Sequence, residues 1–128
     1  MALEAPIRKL LEDVNFCHVG TVSEDGSPHV TPVWVHTDGE HVELNSAEGR
    51  LWVRNADRDG RVTCTVMNMQ DPYEFVEIRG TVAERTNDGA DEHIDFLAEK
   101  YTDDKYPHRA GEQRVIFRIA PERVRHWH

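Results

Sequence analysis

Residues 16–35 read FCHVGTVSEDGSPHVTPVWV and contain the clearest strand and turn signals of the chain. Two apolar runs with strand-like alternation, residues 16–22 and 29–35, flank the tetrapeptide Glu24-Asp25-Gly26-Ser27. Asp-Gly between two such runs is a strong hairpin signal, because glycine readily adopts the positive φ that tight hairpin turns require. The stretch therefore predicts two antiparallel strands joined by a tight turn.

A second turn signal, Asp38-Gly39, leads into an alternating run at residues 41–45. We expect this third strand to continue the hairpin as an antiparallel meander. Pro32 lies inside the second strand and has no N–H group to donate to a neighbouring strand. Its position predicts a sheet edge, a bulge or a point where a ligand approaches the backbone.

Helices and further strands are predicted around this hairpin. Apolar residues at helical spacing behind Pro6 predict a short amphipathic helix, and residues 46–59 replace strand alternation with a helix-like stretch. Further strands are expected at residues 61–67, 73–83 and 114–119, and an acidic helix is expected to open at 87–89 and end near Lys100. Six short antiparallel strands with about three helices favour a mainly β, closed or split barrel, because closure removes exposed sheet edges. Residues 1–128 are predicted to form a single domain.

The composition excludes several classes of function. Hydrophobic residues make up 38% and charged residues 30% of the chain, which is typical of a globular protein. The net charge of −9 repels phosphate backbones, so no nucleic-acid partner is expected. No apolar run approaches the roughly 20 residues of a membrane span, and the N-terminus lacks a secretory signal. We therefore expect a cytoplasmic protein without a membrane partner.

The residue types that often carry chemistry form no catalytic pattern. Cys17 and Cys64 each lie in an apolar strand-like run and are interpreted as small buried hydrophobes. The histidines show no zinc-ligand spacing, and no serine occupies a Gly-x-Ser-x-Gly turn. No metal and no acid–base residue is therefore predicted, and this absence fits a protein whose chemistry comes from an organic cofactor.

Three segments in chain order carry a resemblance to a known family. They are residues 25–34 (DGSPHVTPVW), residues 50–62 (RLWVRNADRDGRV), and Lys100-Tyr101-Thr102 with Tyr106-Pro107 and Trp127. Together they resemble the pyridoxamine-phosphate-oxidase-like class, and especially its short deazaflavin-dependent subgroup. The resemblance spans nearly the whole chain and implies a six-stranded antiparallel split barrel of the FMN-binding type.

Two residues depart from the family pattern. Trp52 stands where relatives commonly carry a lysine that contacts the cofactor, and Gly60 stands where they commonly have proline. The first departure bears on how the cofactor is held. The second bears only on how the chain enters the strand that begins with Arg61 and Val62.

The resemblance also implies a binding site. In that family the cofactor lies between two subunits, with its ring along the strand that contains Pro32 and its phosphate at the segment 45–55. A helix that begins near Gly49 would offer free N–H groups to an anion, and arginines would add positive charge. The candidate cofactor-binding residues are Thr31, Pro32, Val33, Trp34, Asn45, Ser46, Ala47, Arg50, Leu51, Trp52, Arg54, Asn55 and Tyr101.

These residues also have simpler interpretations. Arginines at residues 50–58 could form an ordinary solvated helix face. Trp34 could be a core aromatic residue, and Tyr101 could close the apolar stripe of its helix against the barrel.

The function implied by the resemblance is an oxidoreductase that transfers a hydride between reduced coenzyme F420 and a small organic acceptor. Arg50, Arg54 and Arg58 spread positive charge along a helix, which suits the extended anionic tail of F420. The alternatives are an FMN-dependent oxidase or reductase of the same fold, and a carrier or sensor that binds flavin or deazaflavin without turnover. A homodimer is expected, because one small barrel offers too little concave surface for a tricyclic ring.

Overall fold

The hairpin predicted around Asp25-Gly26 is present in the computed structural model, which describes residues 2–128. Strand β1 (Cys17–Val22) pairs antiparallel with β2 (Pro28–Val33), so that Val22 faces Pro28 next to the turn. Gly26 has a φ of 88°, and the N–H of Ser27 donates to the Asp25 carboxylate at 3.0 Å. Turn chemistry thus closes this hairpin as the sequence predicts.

The described residues contain three helices and seven strands. The helices are α1 (Ala5–Glu12), α2 (Leu51–Asp59) and α3 (Ala90–Thr102). After β1 and β2, the strands are β3 (His36–Thr37), β4 (Val42–Ala47), β5 (Arg61–Met67), β6 (Phe75–Thr86) and β7 (Arg114–Trp127). The mainly β, antiparallel architecture with three helices is therefore confirmed.

All seven strands belong to one curled antiparallel sheet, in the order β2-β1-β5-β6-β7-β4-β3. The predicted meander is wrong, since β4 pairs with β3 and with β7 and does not touch β2. Asp38-Gly39 does turn the chain, but it joins β4 to the two-residue β3. The physical reason is burial: Leu44 faces Phe117 across β4 and β7, and both side chains are fully buried.

The strand count also differs from the expected six, because residues 36–37 form the short strand β3. The last strand is much longer than predicted and runs on to Trp127 paired with β6. Two register shifts interrupt that pairing, and one of them lies at Gly80. Bulges of this kind bend a long pair of strands and so help the sheet to curl.

The hydrophobic core lies inside the curled sheet, closed by α1 and α2. Fully buried side chains from five strands meet there, including Val19, Leu44, Val66, Ile78 and Phe117. Cys17 and Cys64 are free and buried in the same core, which confirms their interpretation as hydrophobes. Burial of this apolar surface is the main stabilising contribution to the fold.

Two local features concern segments of the predicted binding site, the strand β2 and the end of helix α2. The strand β2 lies at an edge of the sheet, so the predicted edge position of Pro32 is confirmed. Gly60 ends α2 with a φ of 84°, and its N–H donates to Ala56 O at 2.9 Å. Proline could neither adopt this φ nor donate this hydrogen bond, so this helix end requires a residue such as Gly60.

Candidate functional site

A cavity of about 300 Å³ lies where the end of β2 approaches β4, β7 and the start of α2. Its walls are formed by Phe16, Pro32, Val33, Trp34, Asn45, Ser46, Arg50, Ile94, Tyr106 and Arg114. One wall is apolar and aromatic, and the other carries two arginines. This combination suits a flat organic group that has an anionic part.

The aromatic wall is supported from behind by α3. Trp34 stacks on Tyr101 with their ring centroids 5.2 Å apart and nearly parallel. The Tyr101 hydroxyl accepts a hydrogen bond from the Val35 N–H at 3.1 Å and donates to Asn15 O. Tyr101 therefore fixes the chain just after β2, and burial raises its pKa to about 12, so the hydroxyl stays protonated at neutral pH.

The positive wall begins at the start of α2. Arg50 is the N-cap residue of α2, is exposed, and has no side-chain cap on the helix. The first N–H groups of α2 are consequently free to bind an anion, and the helix dipole favours negative charge at that end. Within residues 2–128 the Arg50 guanidinium forms no salt bridge, so its charge remains open to a ligand.

A buried cluster of hydrogen bonds around Asn45 lies behind the positive wall. Asn45 is buried, and its Nδ2 donates to Ala90 O and to His93 Nδ1, both at 3.0 Å. Its Oδ1 accepts from Arg114 Nε at 3.0 Å. Asn45 thus links β4 to α3 and to β7, and its amide orientation is set by what its three partners donate and accept.

Ser46 follows Asn45 on β4 and lines the cavity. It is 1% exposed, and among residues 2–128 its hydroxyl has no hydrogen-bond partner. A buried hydroxyl without a partner is destabilising and usually has a specific reason.

Six of the predicted site residues line this cavity, namely Pro32, Val33, Trp34, Asn45, Ser46 and Arg50. The others lie around it. Thr31 pairs with Val19 within the β1–β2 ladder, and Ala47 is buried opposite Arg114. Tyr101 stands behind Trp34.

Four predicted residues belong to α2 and point in different directions. Leu51 and Arg54 lie on the exposed side of the helix, beside the cavity rather than in its wall. Trp52 is 3% exposed and packs on Phe117 in the core, with ring centroids 5.1 Å apart. Asn55 is buried, and its amide donates to the hydroxyls of Thr21 and Ser23.

Four lining residues were not predicted from the sequence: Phe16, Ile94, Tyr106 and Arg114. Tyr106 lies in a segment that carries the family resemblance, so a signal for it existed. Strand alternation placed Arg114 only on the face opposite Val115, Phe117 and Ile119. Its pairing with β4 across a long stretch of chain places it in the cavity wall.

Another depression, of about 610 Å³, fits an anionic cofactor less well. It is lined by Asp95, Glu99, Asp103 and Asp104 together with Lys105, Tyr106 and His108. Four carboxylates would repel a phosphate.

Within residues 2–128, no three His, Cys, Asp or Glu side chains cluster as a metal site would require. Separately, none of the helices in that range has the length and apolar character needed to cross a bilayer.

The curled antiparallel sheet with a cavity at its edge strand is that of a pyridoxamine-phosphate-oxidase-type split barrel. A family profile described as pyridoxamine 5'-phosphate oxidase matches residues 3–128, and the chain belongs to that family. None of the curated proteins matches the chain.

Solved structures give the same fold. A structure titled F420 reductase superposes with a TM-score of 0.84 at 26% identity, covering 96% of this chain and 98% of its own. A conserved hypothetical protein of Mycobacterium tuberculosis gives 0.75 at 23% identity, covering 99% and 85% of the two chains. A Listeria innocua protein named for pyridoxamine 5'-phosphate oxidase gives 0.74 at 20% identity, covering 94% of each. The last two show the fold alone.

Proposed function

We propose that this protein is an oxidoreductase that transfers a hydride between reduced coenzyme F420 and a small organic acceptor. The observation that carries the proposal is its similarity to the structure titled F420 reductase over nearly the full length of both chains. The cavity supports it, since an edge strand and an aromatic wall stand opposite two arginines. An FMN-dependent enzyme of the same fold and a carrier without turnover are the alternatives.

The residues present fit such a cofactor. When bound, the deazaflavin or flavin ring supplies the hydride chemistry itself. The backbone of β2 near Pro32, Val33 and Trp34 would hold the ring, because β2 has one edge without a partner strand. Arg50 and the free N–H groups of α2 would bind the phosphate. The role of the protein is then to bind, orient and shield the ring.

We expect the protein to work as a homodimer. A cavity of about 300 Å³ encloses only part of a tricyclic cofactor with its tail, so further cover must come from elsewhere. Phe16 in the cavity wall is 38% exposed, and the same hairpin carries two further exposed apolar side chains, Val22 at 42% and Val30 at 63%. A second subunit over this face would bury them. Light scattering should give a dimer, whereas a monomer that still binds cofactor tightly would contradict the expectation.

A titration distinguishes between F420 and FMN as the cofactor. Protein freed of cofactor should be titrated with F420 and with FMN at equal ionic strength, and then supplied with reduced F420 and candidate enone or quinone acceptors. We expect tighter binding of F420 and continuous turnover with stoichiometric oxidation of the cofactor. Tighter binding of FMN would favour the flavin alternative, and binding without turnover of any acceptor would favour a carrier or sensor.

The Arg50→Ala variant tests the phosphate contact. Loss of a charged hydrogen bond to phosphate should weaken cofactor binding by about 1.5–3 kcal/mol, while the fold stays intact because Arg50 has no structural partner. Arg123→Ala is the matched control, since Arg123 is also exposed but lies on β7 away from the cavity. Arg85 is unsuitable as a control because it pairs with Glu48 and Asp57. Equal affinities for Arg50→Ala and Arg123→Ala would remove the assignment.

A further inference from the structure

Arg114 is a buried arginine in the cavity wall, and the proposed cofactor contacts leave it without a role. Its side chain is 4% exposed. Nε donates to Asn45 Oδ1 at 3.0 Å, and Nη1 donates to the Tyr106 hydroxyl at 3.0 Å and approaches Glu112 Oε1 at 3.3 Å. Among residues 2–128, Nη2 has no hydrogen-bond partner.

The surrounding residues hold the guanidinium in one place. Asn45 fixes one nitrogen, Tyr106 and Glu112 fix a second, and the guanidinium carbon lies 4.9 Å from the Tyr106 ring centroid. A planar guanidinium anchored at two nitrogens has a defined direction for the third. Nη2 is therefore the nitrogen of this guanidinium that keeps a donor without a partner, on a residue that lines the cavity.

The local charge also favours an anion. Glu112 offsets the charge of Arg114, while Arg50 adds a second positive charge to the same wall. Burial alone would raise the pKa of Glu112. The hydrogen bond from Tyr106 and the charges of Arg114 and Arg50 instead hold it below its usual range. Glu112 is thus ionised at neutral pH, and the cavity wall keeps a net positive charge in a protein whose overall charge is −9.

We propose that Arg114 is a second anion-binding residue of this cavity, whose Nη2 binds a carboxylate or phosphoryl oxygen separately from the anion bound at Arg50. Asn45 and Tyr106 are its positioning residues. The anion comes either from the cofactor or from the substrate, since both groups present the same kind of oxygen to a guanidinium. The inference rests on the proposed function only in taking this cavity as the ligand site, because anion binding requires no hydride transfer.

The direct test observes the arginine signals of the unmodified protein. Inorganic phosphate and acetate are titrated into protein freed of cofactor while the ¹⁵N-labelled arginine side chains are followed by NMR. Arg114→Lys identifies the Arg114 signal by its disappearance. We expect that signal to shift with saturation on addition of either anion. No saturable shift of the Arg114 signal, with phosphate shifting only Arg50 or no arginine, would overturn the proposal.

Variants measure the size of the effect. Arg114→Gln should weaken phosphate binding in calorimetry by about tenfold or more, as expected for a lost charged hydrogen bond. Arg123→Gln, an exposed arginine on the same strand, should leave it unchanged. Tyr106→Phe keeps the charge of Arg114 but removes the hydroxyl that accepts a hydrogen bond from its Nη1. It should weaken phosphate binding by a smaller factor. It replaces Arg114→Gln in this test if that variant does not fold. Unchanged phosphate affinity in folded Arg114→Gln, or in Tyr106→Phe if only that variant folds, would show that Arg114 is purely structural and overturn the proposal.

Two further titrations distinguish whether the cofactor or the substrate supplies the anion. If the cofactor supplies it, Arg114→Gln binds FMN and F420 more weakly but binds riboflavin and the phosphate-free deazaflavin chromophore normally. If the substrate supplies it, cofactor affinity is unchanged and acetate binding to the cofactor-loaded protein falls. Either pattern supports the proposal. Phosphate binding at Arg114 in a protein that binds neither cofactor would leave this inference standing while the proposed function fails.

Discussion

The Trp52→Lys variant is expected to lose about 3–5 kcal/mol of stability and to gain no affinity for the cofactor. It restores the residue type that relatives commonly have at this position. In this chain, however, Trp52 is 3% exposed and packs on Phe117 in the core. Replacing it by lysine removes that packing and leaves an ammonium group that must be buried or must extend to the surface, leaving a void behind.

Leu51→Lys is the matched control for this variant. Leu51 precedes Trp52 on α2 and is 39% exposed, so a lysine there should change the free energy of unfolding by about 0.5 kcal/mol or less. Urea unfolding of both variants gives the comparison. If Trp52→Lys does not fold, Trp52→Phe should fold with a smaller loss and bind cofactor normally. A stable Trp52→Lys protein with improved cofactor affinity would show instead that residue 52 faces the ligand.

Much of the fold follows from local signals in the sequence. Asp25-Gly26 fixes its hairpin, and Asn87-Asp88-Gly89 precedes α3 as expected, because turn chemistry and helical periodicity act over a few residues. The partner of β4 could not be predicted in this way. Its pairing with β7 depends on Leu44 meeting Phe117, which are far apart in the chain. No turn signal encodes such a contact.

The residues of the candidate site likewise divide into those with a signal in the sequence and those that depend on distant contacts. Pro32 was identified from its local setting, a proline within a strand, whereas Arg50 was identified through the family resemblance together with its place near the start of a helix. Arg114 was missed because its place in the cavity wall depends on Asn45, 69 residues away. Asn55 was predicted by resemblance to contact the cofactor, and the structure instead shows its amide donating to the hydroxyls of Thr21 and Ser23. Whether it also contacts a bound ligand stays a prediction.

His93 should make the stability of the protein depend on acid. Burial, together with the nearby positive charges of Arg118, His36 and Arg114, lowers the pKa of His93 to about 4. Its Nδ1 accepts a hydrogen bond from Asn45 Nδ2, so the neutral ring carries its proton on Nε2, which has no partner within residues 2–128. Protonation would put a hydrogen on Nδ1, which would then face the Asn45 Nδ2 donor. The hydrogen bond between Asn45 and His93 would be lost.

The sign and size of this effect follow from proton linkage. The unfolded chain takes up a proton at His93 near its ordinary pKa of about 6.5, whereas the folded protein resists until about pH 4. The contribution of neutral His93 to stability is therefore fully present above pH 6.5 and is lost as the pH falls to about 4, up to roughly 3 kcal/mol. His93→Asn keeps an acceptor for Asn45 and cannot be protonated. Between pH 7 and pH 4 its free energy of unfolding should fall less than that of the wild-type protein by about that amount, whereas exposed His18→Asn should follow the wild-type curve. Parallel curves for the His93→Asn and wild-type proteins would show that folding does not lower the pKa of His93, and would contradict this prediction.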